Sequence, residues 1–461
     1  MQPPFKLSVR HGAMAAMLAC AGTSILAGVI QPAPAGTYYG YRADQFGNSG
    51  FVEAEFRMSG MAKRYKSEGT LGADGKWAVS VVSNNTPYTT AMIVRRPSDP
   101  AKFNGIVVVE WLNVSSNNDI DVDWGMAHEE FLREGYAYVG FNAQKVGIDG
   151  LKKVNAARYG SLDISDDDIS YDLMSQVGQA VREQASVLLG GLQPKKVLAS
   201  GHSQSAMRLT TYTNAIHPLD KAYDGILIHG RANTGTKLAS ADNTPSSVVI
   251  RSDVPTPVFQ LQSEMDVSFQ SKTSKAIDSA KVRYWEVAGS AHADQYLLDQ
   301  IYSVSGREIS FYPPSCTHPA NAMPFYRVEN AAFHYLKNWV TDGVAPRVTP
   351  RIERDWLGYI KKDSNGNALG GVRLPEINVP VAKYGYSNFT TGSLAFLDLF
   401  ACVAGGSTEP FTAAKLTKLY PTYGSYVTKY TAAANAALAA GYVLPADHVK
   451  AIQKVQNASG F

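Results

Sequence analysis

Several short runs along the chain are apolar at consecutive rather than alternate positions. They are Ile106 to Trp111, Tyr136 to Phe141, Lys196 to Ser200, Gly225 to His229, Pro257 to Gln262 and Val282 to Val287. Runs of this length, rich in β-branched residues, mark strands buried on both faces, as in a parallel sheet. Between several of them the pattern changes to helical spacing. Asp123 to Glu134 is followed by Gly135, which suits the left-handed position just past a helix end. Tyr171 to Leu189 brings Leu173, Val177, Val181 and Leu188 near one face and stops at Gly190 and Gly191. Strand and helix alternating in this way predict βαβ units, a mostly parallel sheet and helices on both of its faces.

The two ends of the chain read differently. Phe51 to Arg57 and Pro87 to Arg95 look like strands separated by Gly/Asn turns with no helix between them, which predicts antiparallel strands at the start of the sheet. Arg327 to Val340 repeats apolar residues at helical spacing and ends near Gly343. From Val344 to Ser407 periodicity is weak, and helical patterns return from Phe411. With no internal repeat and no clear linker, one elaborated domain over residues 36–461 is expected, its residues 343–461 forming an extension packed on the core.

Residues 1–35 read as a targeting segment. Lys6 and Arg10 precede an uncharged run from Gly12 to Ile30, and Ala33-Pro34-Ala35 has the form of a cleavage site. The chain carries 43 Lys and Arg against 40 Asp and Glu, and two of the basic residues lie in this segment. The remainder is close to neutral with no basic cluster, which argues against nucleic acid and against an anionic membrane surface as partner. A secreted or periplasmic protein is expected, with no stable membrane insertion after cleavage. Of three cysteines, Cys20 leaves with the segment. Cys316 and Cys402 remain, and in an oxidising compartment a disulfide between them is plausible.

Chemistry enters at Gly201-His202-Ser203-Gln204-Ser205. A short β-type run leads into this tight turn and a helix-compatible run leaves it. A strand-to-helix turn of this kind lifts a serine hydroxyl off the sheet edge, and Ser203 is the candidate nucleophile. Such a serine needs a base, and the base needs an orienting acid, each at the end of a later strand in the order Ser, acid, His. The strand ending at Gln262 is followed by Glu264 and Asp266, and the one ending at Val287 by His292. Glu264 is favoured as the acid because it lies nearer the strand end, with Asp266 as the alternative. For the oxyanion, the expected donors are the N–H of Gln204 and one from the loop after Trp111, at Asn113 or its neighbour Val114.

Four stretches together carry a resemblance. They are Glu110-Trp-Leu-Asn-Val-Ser115, Gly201-His-Ser-Gln-Ser205, Gln262-Ser-Glu-Met-Asp266 and Trp285-Glu-Val-Ala-Gly-Ser-Ala-His-Ala-Asp294. The chain resembles a bacterial group of alpha/beta hydrolase domain-containing proteins, and the likeness extends through Cys316, Gly370 to Pro375 and Leu419-Tyr420. Ala206 stands where that group's elbow has a further glycine. The resemblance implies the α/β-hydrolase fold and serine-hydrolase chemistry, and little about substrate.

The resulting expectation is a hydrolase of carboxylic esters, small or polymeric, acting through an acyl-enzyme without cofactor or metal. Lactones, polyesters or peptides are alternative substrates, and a catalytically idle ligand- or partner-binding protein is the competing class. No zinc-ligand spacing, phosphate loop or dinucleotide fingerprint is apparent. The acidic stretches Asn118 to Asp123 and Asp166 to Asp168 read as solvated loop or helix start. The connection from Gly225 to Pro257 is too short for a large helical lid, so the C-terminal region is expected to shape the site.

Overall fold

The computed structural model describes residues 27–40, 42, 46–231, 233–270, 277–305, 316–392 and 396–461. Its centre is a nine-stranded sheet. The strands are β1 (Val29–Pro32), β2 (Phe51–Ser67), β3 (Val79–Pro97), β4 (Ile106–Trp111), β5 (Ala137–Phe141), β6 (Lys196–His202), β7 (Gly225–His229), β8 (Val258–Ser263) and β9 (Val282–Val287). Their order across the sheet is β1-β2-β3-β5-β4-β6-β7-β8-β9. From β5 onward every neighbour is parallel, and β1, β2, β3 and β5 pair antiparallel. This is the α/β-hydrolase arrangement, and the runs read as buried strands are its parallel strands.

Side-chain alternation along the parallel strands divides the core in two. Val107, Val109, Val197, Ala199, Ile226 and Ile228 face one layer, and Ile106, Val108, Leu198, Leu227, Phe259 and Leu261 face the other. The first layer is covered by α2 (Ser170–Glu183) and α3 (Gln204–Ala215), through residues such as Leu173, Val177 and Leu209. The second is covered by α1 (Val122–Glu134) and α4 (Tyr326–Asp342), through Trp124, Phe131, Val328 and Leu336. Gly135 ends α1 at φ 75° with its N–H on Phe131 O, as its place in the sequence predicts.

The strands before β4 are longer than their apolar runs, and β2 pairs with β3 along almost its whole length. β1 sits on the outer edge of β2, with Ile30 buried. Gln184 fixes it from the helical layer, accepting from Ile30 N at 3.0 Å and donating to Gly28 O at 2.7 Å. Val29–Pro32, within the expected targeting segment, therefore form the sheet edge, and cleavage after Ala35 would remove β1. The rest of that segment, residues 1–26, lies outside the described residues. Among the described residues no helix is long and apolar enough to cross a membrane.

The C-terminal residues pack on the second layer. Val372 forms a parallel bridge with Val287 at the end of β9, and Ile352, Ala368, Leu374, Ile377 and Tyr384 join that core. Tyr420, Tyr426, Tyr430, Ala434, Ala451 and Val455 form a small cluster of their own. Cys316 and Cys402 are joined by a disulfide, with Cα atoms 5.6 Å apart.

Candidate active site

The elbow follows from local sterics. Ser203 connects β6 to α3 at φ 58° and ψ −118°, a strained conformation for a residue with a Cβ. A Cβ on Gly201 would lie 3.2 Å from the Ser205 Cβ, so position 201 has little room for one. Ser205, standing where the usual pattern has glycine, is fully buried, and its Oγ donates to Leu112 O at 3.0 Å. The Ser203 N–H donates to His229 O at 2.8 Å, which ties the turn to the next strand.

The end of β9 carries His292 to this serine. The Ser203 hydroxyl lies 2.8 Å from His292 Nε2, and His292 Nδ1 lies 2.7 Å from Asp266 Oδ1. A carboxylate accepts only, so Nδ1 carries the proton and Nε2 is left to accept from the serine. Asp266 is fixed in turn by a capping box in which its Oδ2 accepts from Ser263 N at 2.9 Å and from Ser263 Oγ at 2.6 Å. Burial pushes the Asp266 carboxyl up, but the His292 charge and the His292 and Ser263 donors outweigh that and hold it below its ordinary value.

Glu264, the acid favoured from the sequence, is not on His292. Its carboxylate accepts from Gly289 N at 2.6 Å and pairs with Lys362. Burial raises the Glu264 carboxyl while Lys362 acts against it. Gly289 is at φ 74° in the turn that leads to His292, so Glu264 braces that turn and joins it to the C-terminal region. The alternative acid, Asp266, holds the position that orients the base.

The oxyanion expectations divide in the same way. Gln204 opens α3, where a first-turn N–H has no intrahelical acceptor. Asn113 N–H is already donated to Ile120 O at 3.0 Å, so it is not the second donor. Its side chain instead bonds His202 O at 2.9 Å and accepts from Ser115 N at 2.9 Å, which fixes the loop against the elbow. The neighbouring Val114 N–H has no acceptor among the described residues.

Two supporting residues were not assigned from the sequence. His202 lies against the base. Its ring is tilted against that of His292 with centroids 4.5 Å apart, and its Nε2 lies 3.2 Å from His292 O. Burial, then the neighbouring His229 and His292, push His202 well below the ordinary histidine value. As a neutral ring it donates Nε2–H to that carbonyl. Glu110 accepts from Asp123 N and Trp124 N, each at 3.0 Å, and from Tyr138 Oη at 2.7 Å. It thereby anchors the loop between β4 and α1. A lone acid inside the apolar run Ile106 to Trp111 was the signal for it.

Both acidic stretches lie at helix starts, one of the two expected readings, with Asp121 before α1 and Asp166 before a short helical turn at 167–169. Asp121 is buried and pairs with Arg42 and Arg95, and Asp123 is fully buried. Asp166 and Asp167 pair with Arg64 and Arg208. A cavity of about 560 Å³ opens between Asp167, Asp168, Arg208 and residues 234–246 of the connection after β7, which holds no helix among its described residues. Gln204 Nε2 donates to Gln144 Oε1 at 3.0 Å, Gln144 Nε2 to Asp167 Oδ2 at 3.2 Å, and Arg208 also meets that oxygen at 2.6 Å. The residue after the nucleophile is thus linked to the cavity wall.

Residues 26–453 match the family described as "Alpha/beta hydrolase domain". No curated protein matches the chain. Among solved structures, a fungal esterase from Rhizomucor miehei is 12% identical, with 64% of this chain and 85% of that chain covered and a TM-score of 0.34. An α/β serine hydrolase without lid from Xanthomonas campestris is 14% identical, with 54% and 90% covered and a TM-score of 0.26. A carboxylesterase from Lactobacillus plantarum is 12% identical, with 44% and 72% covered and a TM-score of 0.26. Likeness this weak bears on nothing in this chain's chemistry.

Proposed function

Because the chain belongs to the alpha/beta hydrolase domain family, we propose that it is a serine hydrolase that cleaves carboxylic esters through an acyl-enzyme. The observation that carries the proposal is the continuous proton path, with His292 at 2.8 Å from the Ser203 hydroxyl and at 2.7 Å from Asp266. A strained, partly exposed serine, a base in hydrogen-bond reach and an acid that fixes the base's tautomer are the parts an activated nucleophile needs.

Ser203 attacks the ester carbonyl as its proton passes to His292 Nε2. Asp266 stabilises the imidazolium that forms. The tetrahedral oxyanion is held by the N–H groups of Gln204 and Val114. His292 then gives the proton to the leaving alkoxide, and a water enters by the same steps in reverse to release the acid. The protein acts outside the cytoplasm, in the periplasm or beyond it, where the Cys316–Cys402 disulfide is stable.

A series of aryl esters of increasing acyl length, assayed on the wild type and on Ser203→Ala, tests this reading. Hydrolysis that falls by about 10⁴-fold or more in the variant is the expected result. Undiminished hydrolysis by Ser203→Ala would place the chemistry elsewhere.

A further inference from the structure

Behind the His292–His202 pair lies a second group of polar side chains that the proposed reaction does not use. His229, at the end of β7, packs its ring 4.5 Å from that of His202. Asp123 approaches it from α1 and Glu329 from α4, and all three residues are at most 1% exposed. One ligand atom from each lies within 4.8 Å of the others.

We infer that Asp123, His229 and Glu329 form a binding site for a divalent transition-metal cation of the zinc type. A single ring nitrogen, His229 Nδ1, faces Asp123 Oδ1 at 3.4 Å and Glu329 Oε2 at 3.3 Å. One N–H serves one acceptor well, and both separations exceed the usual N–H···O range. They match the edge of a tetrahedron around a cation, because metal–nitrogen and metal–oxygen bonds of about 2.0–2.2 Å set neighbouring ligands roughly 3.3–3.5 Å apart.

Asp123 Oδ2, both carboxylate oxygens of Glu329 and His229 Nε2 are buried without a hydrogen-bond partner. Among the described residues no Lys or Arg pairs with Asp123 or Glu329. Glu110, the next acid, already accepts from Asp123 N, Trp124 N and Tyr138 Oη and offers no positive charge. Two adjacent carboxylates sealed from water need a positive partner. One imidazole nitrogen with two carboxylates suits zinc and its neighbours, whereas calcium takes six to eight oxygens.

The competing occupant is a proton. Burial, with the charges of Asp123 and Glu110, pushes the Glu329 carboxyl well above its ordinary value, so an empty site would hold Glu329 protonated.

The test uses the untagged full-length protein. Elemental analysis after gel filtration is expected to find a single divalent metal ion per chain, which is lost in Glu329→Gln. Wild type stripped with a chelator should regain thermal stability on titration with Zn²⁺, by roughly several degrees at saturation. Glu329→Gln should show no such rise. If that variant fails to fold, the wild-type arms decide alone. A wild type that neither carries metal nor responds to Zn²⁺ overturns the assignment, and so does bound metal that survives both Glu329→Gln and His229→Gln.

Discussion

At the residue scale, two carboxylates stand two positions apart and do different work. Asp266 orients His292, while Glu264 braces Gly289 against Lys362. Asp266→Asn should lower kcat by about 10⁴-fold, because the amide no longer fixes the working tautomer. Glu264→Gln should change kcat by less than about tenfold and act on thermal stability instead, since it removes the charge of a fully buried carboxylate paired with a partly exposed lysine. Kinetics and melting curves on the two variants separate these roles. A pH effect follows for Asp266, whose carboxyl is lowered on folding. Its contribution to stability is present above the ordinary aspartate value and is lost as pH falls through the lowered folded one. Wild type should therefore lose more stability than Asp266→Asn between about pH 5 and pH 2, as read by thermal melts along that range. The positions proposed for nucleophile and base were readable in the sequence because each lies at or just past a strand end. Which carboxylate would meet the base was not. After Ser263 the chain enters a short helix, where residues two apart point to opposite sides, and nearness to the strand end does not say which side faces the base.

At the element scale, the parallel strands were legible because burial on both faces leaves an unbroken apolar run. The full lengths of β2 and β3 were not, since their outer halves carry polar and exposed residues whose pairing no periodicity announces. β1 was hidden for another reason. Val29–Pro32 is an edge strand at the end of an apolar stretch that reads as a targeting signal. A chain that starts at Gly36 should therefore melt below one that starts at Ala27, through loss of the β1 ladder and of the Ile30 burial. Calorimetry of the two proteins gives the comparison. The loop after β4 is the element nearest the chemistry. There the Asn113 side chain joins the loop to the elbow through His202 O. Asn113→Ala should lower kcat by roughly tenfold with KM little changed, as steady-state kinetics on one good ester would read.

At the scale of the whole molecule, the C-terminal region is bound to the hydrolase core by more than apolar packing. Lys362 reaches Glu264 beneath the His292 turn, and the disulfide joins Cys316 to Cys402 across 86 positions. A closed loop of that size corresponds to about 4.6 kcal/mol of stabilisation. Cys402→Ser should accordingly lower the melting temperature by several degrees with the elbow intact. The pairing was legible because, with Cys20 set aside in the targeting segment, two cysteines remain. The Lys362 contact was not, because Val344 to Ser407 lacks a period that fixes its path. What the molecule as a whole achieves is the meeting of three side chains from the ends of β6, β8 and β9. Fluorophosphonate labelling, followed by mass spectrometry of the modified peptide, tests that meeting most directly. The account predicts a single adduct on Ser203, absent in Ser203→Ala and formed far more slowly in His292→Ala. A folded protein that takes no label, or takes it at another residue, would contradict it.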